Sequence, residues 1–358
     1  MNRCPTCGTS YEDDARFCPR DGTRLLQRPG SPGAEPAAPA PGRNTSAVQR
    51  PDGAPRRGHG NLIGQTLDSR YEIVRKLGEG GMSFVYLGVD VATREQYAIK
   101  VLSAALSDDA TAMARLKREA SVGMRLAHPN ICNIIRLGET EDGLVYVVMP
   151  FLQGEILSDR TNRLGHIPIE DVVRLVRQMA EGLHFAHQMK IVHRDLKPEN
   201  IMVAKRPDGS EAAVVMDFGL AKERRADAEL QKLTATGIIL GTPEFMSPEQ
   251  LRGKPLDPRT DVYSLAILTF EMLSGKLPFQ GRTQQETMIA RLRSDPTPIR
   301  QLRPELNIPE PVERVLQKAL KRAPEERYQS TVDFAGALEG AVAGPQSDGS
   351  LLGRLFGR

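Results

Sequence analysis

The segment that most constrains this chain is His193-Arg194-Asp195-Leu196-Lys197-Pro198-Glu199-Asn200, which directly follows the apolar pair Ile191-Val192. So dense a run of charged and polar side chains is not an ordinary solvated face. A second short signal, Asp217-Phe218-Gly219, follows the strand-like Val214-Val215-Met216. Asn200 and Asp217 offer hard oxygen ligands of the kind Mg²⁺ takes when it is bound together with phosphates. Either residue alone is ordinary in a loop. Together, each after a strand-like run, they read as a metal–phosphate site.

The rest of the chain must build a frame for that site. Three regions separate by composition. Residues 1–26 are short, turn-rich and carry three of the four cysteines. Residues 27–60 are dominated by Pro, Gly and Ala with scattered Arg, too little apolar surface to offset ordering entropy, and read as a disordered linker. From about Leu62 to Leu338 the pattern is that of a folded domain.

Short β-rich runs come first, at Tyr71–Leu77, Ser83–Val89, Gln96–Leu102 and Leu144–Phe151. After the third, Met113, Leu116, Ala120 and Met124 fall on one helical face. From Glu170 helices prevail, the clearest being Asp171–Met189, with Val172, Val176, Met179, Leu183 and Ala186 at helical spacing. Pro311 suits a first helical turn, and Ser330 with Asp333 resembles a capping box opening a last helix that Gly340 should end. The expected fold is α+β, a small β-rich lobe before a larger helical one. The glycine-rich tail 341–358 reads as disordered.

A net charge of +3 in 358 residues gives no broad basic field for nucleic acid. No run approaches the roughly 20 apolar residues of a membrane span, and the first residues lack a secretion signal, so cytoplasm is the expected location.

Two weaker signals precede the polar block. Gly78-Glu79-Gly80-Gly81-Met82-Ser83 lies between strand-like runs, where a phosphate-covering loop and a plain hairpin turn are both open. A strand rather than a helix follows these glycines, which disfavours a dinucleotide-binding unit. Lys100 sits in the apolar strand run Tyr97-Ala98-Ile99-Lys100 and needs an anionic partner if buried, for which Glu119 on the following helix is suited; a surface lysine at a strand end is the alternative.

In this order, these segments resemble the protein-kinase signature set. The resemblance continues through Gly241-Thr242-Pro243-Glu244-Phe245-Met246-Ser247-Pro248-Glu249, Asp261-Val262-Tyr263-Ser264-Leu265 and Arg327. The wording is most similar to bacterial Hanks-type serine/threonine kinases and covers about residues 71–338. It implies the bilobal kinase fold, ATP with Mg²⁺ or Mn²⁺ as cofactors, and protein substrates with Ser or Thr acceptors. Leu77, Gly78, Glu79, Gly80, Gly81, Met82, Ser83, Phe84 and Val85 would fold over ATP. Lys100, paired with Glu119, would bind its α/β-phosphates. Ala98, Met149, Pro150, Leu152 and Met202 are implied around the nucleotide, with Met149 as gatekeeper and the Leu152 N–H as adenine donor. Asp195 would orient the attacking hydroxyl and take its proton, Lys197 would contact the transferring phosphoryl, and Asn200 and Asp217 would hold the metal. Arg194 would pair with a phosphorylated activation segment, with Thr234 and Thr236 as the phosphate carriers unless they are merely exposed loop residues. Gly123 stands where relatives often carry a larger apolar residue, and so should leave its helix short of packing.

Cys4-Pro5-Thr6-Cys7 has the spacing of half a zinc ribbon. The second half, Cys18-Pro19-Arg20-Asp21, replaces the last thiolate with a carboxylate, so Zn²⁺ would be held by Cys4, Cys7, Cys18 and Asp21. The alternative is an unstructured tail. A balanced charge makes a protein partner the better expectation for this module than nucleic acid. Cys132, alone among Ile131, Ile134 and Ile135, reads as a small core residue. Two rival readings remain. A pseudokinase scaffold would usually lack Lys100, Asp195 or Asp217, all present here, and a nucleic-acid-binding protein led by the ribbon would carry more positive charge.

Overall fold

The computed structural model describes residues 2–3, 10–11, 62–80, 83–102, 120–121, 123–141, 143–218 and 243–343. The chain divides into two units, Met1–Arg56 and Arg57–Arg358. In the first, β1 (Asn2–Arg3) pairs antiparallel with β2 (Ser10–Tyr11). Cys4, Cys7, Cys18 and Asp21 lie outside the described residues, as does the 27–60 linker.

The second unit begins with a six-stranded antiparallel sheet in the order β3-β4-β5-β6-β8-β7. Its strands are β3 (Thr66–Leu67), β4 (Tyr71–Gly80), β5 (Ser83–Asp90), β6 (Gln96–Leu102), β7 (Arg136–Glu139) and β8 (Val145–Pro150). Period-2 alternation puts Tyr71 and Ile73 of β4, Tyr86 of β5, Ile99 and Val101 of β6 and Tyr146 and Val148 of β8 into one core. Residues 78–80 of the glycine-rich stretch are part of this ladder. Gly78, Glu79 and Gly80 pair with Val85, Phe84 and Ser83, and bulges at 73/75 and 76/78 twist the strand beforehand.

A second sheet, β11-β10-β9, is built from β9 (Gly154–Ile156), β10 (Ile201–Lys205) and β11 (Glu211–Val215). Helix α1 (Leu157–Leu164) ties to it by charge: Arg160 bonds Glu155 of β9 at 2.7 Å and forks onto Glu211 of β11. Helix α2 (Ile169–Gln188) buries Val172, Val176, Met179, Leu183 and Ala186, the face its spacing predicts. The remaining helices are α3 (Pro248–Leu251), α4 (Pro258–Ser274), α5 (Gln284–Arg293), α6 (Ile299–Leu302), α7 (Glu310–Ala319) and α8 (Thr331–Ala343). Buried nearly all round, α4 runs through the centre of the lobe. Asp257 caps its start, and Gly275 ends it at φ 67°, where an added Cβ would lie 1.8 Å from the Gly165 carbonyl oxygen.

Three expectations need correction. Helix α8 opens with Ser330 Oγ accepting from the Asp333 N–H, but it runs through Gly340 to Ala343, because Ala341 and Val342 still pack on the core. Met124 is 42% exposed, since the chain leaves the helix at 124–125; Ala120 is buried, and Met113 and Leu116 lie outside the described residues. Gly123 is not short of packing: a Cβ there would lie 2.7 Å from Ile134 Cδ1, so Ile134 fills the space. Among the described residues no helix is long and apolar enough to cross a membrane.

Candidate active site

The polar block forms a loop between α2 and β10, pinned from beneath by Asp261 near the start of α4. Asp261 is fully buried, so each oxygen needs partners. Its Oδ2 accepts from the His193 N–H at 2.8 Å and meets His187 Nε2 at 2.7 Å, while Oδ1 accepts from the Arg194 N–H at 3.0 Å. Burial opposes its ionisation, yet the hydrogen bond and charge of His187, reinforced by His193, hold the carboxyl below the usual range.

His193 is fixed in turn. Its Nδ1 accepts from the Asp195 N–H at 3.3 Å and its Nε2 faces the Met216 carbonyl at 2.9 Å, which sets the Nε2–H tautomer. The Phe218 ring meets His193 edge-on, centroids 4.7 Å apart. Arg194 is half-buried with φ 65°, a left-handed backbone that costs an arginine energy and persists only when its surroundings enforce it.

Beyond it stand the reactive candidates. Lys197 Nζ lies 3.8 Å from Asp195 Oδ2. Asn200, held by a short 3-10 turn at Pro198–Asn200, donates its amide to the Asp195 carbonyl at 2.8 Å and to Asp195 Oδ2 at 3.3 Å. With Nδ2 so engaged, the Asn200 amide oxygen remains as the group's acceptor. Asp217 adopts φ 54° and meets Lys100 Nζ at 2.8 Å. Burial works against its charge, but the Lys100 ammonium, with Lys197 behind it, holds the carboxyl below its usual range. The amide oxygen of Asn200 and the ionised carboxylate of Asp217 suit a hard divalent cation.

The nucleotide-facing candidates lie on adjoining strands. Val85 pairs with Lys100, Ala98 with Met149, and Tyr97 with Pro150. Met202 on β10 packs with Leu152 and Cys132 against Ala204, Ala212 and Val214. Cys132 is half-buried in that cluster, and burial pushes its thiol up to about 12. Leu77, Gly78, Glu79, Gly80, Ser83 and Phe84 lie on the β4–β5 hairpin. Gly81 and Met82 lie outside the described residues, as do Glu119, Gly219, Thr234, Thr236 and Thr242. Lys100 therefore has Asp217 as its described partner.

Several supporting residues have roles that the sequence alone does not reveal. Glu249 is buried and takes both arms of Arg327 at 2.8 and 2.7 Å, with Thr260 Oγ1 at 3.0 Å. Arg291 of α5, 1% exposed, donates to the carbonyls of Met246 and Glu244 at 3.0 and 2.5 Å. Gln250 donates to the Arg194 carbonyl at 2.7 Å. Glu271 of α4 has its carboxyl pushed up to about 7 by burial and by Glu199 and Glu244 nearby. Only a carboxylate or guanidinium within an apolar stretch could have flagged Glu271 and Arg291. Nothing local flags Gln250.

The protein kinase domain family matches residues 71–334. Serine/threonine-protein kinase pkn3 of Myxococcus xanthus is 35% identical over 277 residues, covering 77% of this chain and 51% of its own length. Serine/threonine-protein kinase PknB of Mycobacterium leprae is 37% identical over 275 residues, covering 76% of this chain and 43% of its own. The chain thus spans about half, or less, of the length of these curated relatives. The crystal structure of the PknI kinase domain of Mycobacterium tuberculosis aligns with a TM-score of 0.59 at 27% identity, covering 78% of this chain and 98% of that one. With the ordered motifs, the two-lobed architecture and a match across most of its length, this chain belongs to the protein kinase domain family.

Proposed function

We propose that the chain is a serine/threonine protein kinase, transferring the γ-phosphoryl group of ATP to hydroxyl groups of proteins. The observation that carries this reading is the loop 193–200, which sets Asp195, Lys197 and Asn200 side by side on the buried Asp261. Bound ATP with Mg²⁺ supplies the phosphoryl group and the metal charge that offsets its oxygens, with Asn200 and Asp217 as the metal's protein ligands.

The chain's own residues position the reactants. Asp195 accepts a hydrogen bond from the substrate hydroxyl, aims its oxygen at the γ-phosphorus and takes the proton as the new P–O bond forms and the bond to the β-phosphate oxygen breaks. Lys197, beside Asp195, stabilises charge on the phosphoryl oxygens. Lys100 binds the α/β-phosphates, and the β4–β5 hairpin covers them. Phosphoryl transfer has a loose transition state, so positioning and charge stabilisation carry the catalysis.

The deciding experiment is Asp195→Asn. It should retain the fold and lose transfer of labelled phosphate from ATP to a basic protein by about 10²–10⁴-fold. Near-wild-type turnover overturns the reading. A nucleotide-binding scaffold without catalysis is disfavoured by the presence of Lys100, Asp195 and Asp217 together.

The same reading assigns residues 1–26 to a zinc-holding module with a protein partner, 27–60 to a spacer, 71–343 to the catalytic domain and 344–358 to a tail. It places the enzyme in the cytoplasm. It also assigns regulatory autophosphorylation to Thr234 and Thr236, whose phosphates would pair with Arg194. Metal analysis of protein purified without chelators tests the zinc, and phosphate mapping of active enzyme tests the threonines.

A further inference from the structure

The peptide plane joining Arg194 to Asp195 is held at both of its polar ends. Its N–H goes to His193 Nδ1 at 3.3 Å, and its carbonyl accepts from Gln250 Nε2 at 2.7 Å. This plane follows directly on the left-handed Arg194 and leads straight into Asp195. Rotating it would swing the Asp195 side chain, so whatever fixes the plane fixes the carboxylate.

Gln250 itself stands on a firm platform. Its Oε1 accepts from the Ser247 N–H at 2.9 Å, and its own N–H returns to Ser247 Oγ at 3.3 Å, a reciprocal cap on α3. The amide orientation follows from these partners: Ser247 N–H needs an acceptor and the Arg194 carbonyl needs a donor. Gln250 is 7% exposed and Ser247 fully buried. The segment around them is tied down by Glu249 to Arg327, by Arg291 to the carbonyls of Glu244 and Met246, and by Ser264 Oγ to the Phe245 carbonyl at 2.8 Å.

We infer that Gln250 is a positioning residue for catalysis, a single amide through which the seating of the 243–251 segment sets the aim of Asp195. The inference rests on the proposed kinase reading. It makes the catalytic loop and the end of the activation segment one mechanical unit. A segment pulled off its platform withdraws the donor from the Arg194 carbonyl and frees a peptide plane that already carries backbone strain.

Gln250→Glu tests this because it separates the two ends of the amide. A carboxylate keeps the acceptor for Ser247 N–H but sets an oxygen against the Arg194 carbonyl. A protonated carboxyl can donate there again. With saturating ATP and a basic protein substrate, kcat at pH 8 should fall about 10–100-fold, the size of loss that misplacing a reacting group produces. KM for ATP should stay unchanged, and the ratio of variant to wild-type kcat should climb as pH is lowered to 6. Gln250→Met, similar in volume but lacking both hydrogen bonds, should lose kcat with KM for ATP unchanged and show no recovery at low pH. Wild-type kcat in Gln250→Glu at pH 8, or a loss that is the same at every pH, overturns the inference. Should the glutamate variant not fold, unchanged kcat per folded Gln250→Met molecule overturns it, and a kcat loss without a KM change upholds it. Asp195→Asn run alongside keeps the two claims apart. Activity retained in that variant sinks the kinase reading, whereas a dead Asp195→Asn beside a wild-type-like Gln250→Glu sinks only the role of Gln250.

Discussion

Two sets of charges meet at the candidate active site and are treated in opposite ways. The supporting set, Asp261 and the Glu249–Arg327 pair, is buried, and each carboxylate oxygen has at least one short partner. The proposed reacting set is open: Lys197 and Asp195 are 20% and 21% exposed and stand 3.8 Å apart, while Asp217 is 38% exposed. A charge removed from water must find a complete shell of partners in the protein or shift its ionisation. Groups that must accept a substrate cannot be so completely enclosed. The difference teaches where stability and activity should separate under mutation.

The largest effect should come from breaking the supporting set. Arg327→Met leaves the Glu249 carboxylate buried without its cation and should cost about 3–5 kcal/mol in denaturant unfolding. An unfolding midpoint like the wild type would place that pair among the structurally dispensable ones. On the reacting side, Lys197→Met should lower phosphoryl transfer by about 10²-fold. It should shift stability by no more than about 0.5 kcal/mol. A variant equally crippled in folding would erase the distinction between the sets.

Glu271 sharpens the comparison because it is enclosed and, among the described residues, no cation pairs with it. Its carboxyl titrates at about 7 in the folded chain against 4.5 for the ordinary group. The folded state therefore binds that proton more tightly. The contribution is fully present below pH 4.5, declines as pH rises from 4.5 to 7, and is gone above. Glu271→Gln should remove that decline and leave the protein about 1–3 kcal/mol more stable than wild type at pH 8. Glu211, forked by Arg160, is the mirror case, held down at about 2. Its contribution is present above pH 4.5 and lost as pH falls towards 2. Arg160→Met should flatten that acid limb by about 1 kcal/mol, the modest size reflecting solvent around a partly exposed pair. Unfolding curves across pH check both, and slopes of the same sign in the two variants would contradict the assignment. Smallest of all, Gly340→Ala inside α8, where an added methyl meets open space, should stabilise by about 0.5–1 kcal/mol in denaturant unfolding.

Much of this could be read from the sequence, for physical reasons that vary by region. Strands such as Gln96–Leu102 were legible to the residue because β-branched and aromatic side chains alternate there, and α2 because its apolar stripe keeps helical period. The ladder from Gly78 to Gly80 was not, because glycines carry no side chain to show a face. The end of α8 is hidden from the sequence because Gly340 is a common stop signal, and the packing of Ala341 and Val342 that overrides it is tertiary. Asp195, Lys197, Asn200 and Asp217 stood out because their motifs are local. Gln250 did not, since its partner is 56 residues away and a glutamine after Pro248-Glu249 has nothing unusual about it. Ile134 filling the space beside Gly123 is likewise visible only in three dimensions.

The anchoring of the 193–200 loop has a consequence in time. Its backbone hydrogen bonds to Asp261 span 67 and 68 residues, and the Glu249–Arg327 pair spans 78. On a ribosome adding roughly 5–20 residues per second, the loop is made about 3–14 s before the aspartate that shapes it. The glycine-bearing hairpin pairs consecutive strands, and its sheet is complete once Pro150 has been made, so both can form earlier. A nascent chain of this protein thus completes the strands of its β-rich lobe well before the 193–200 loop acquires the aspartate that anchors it.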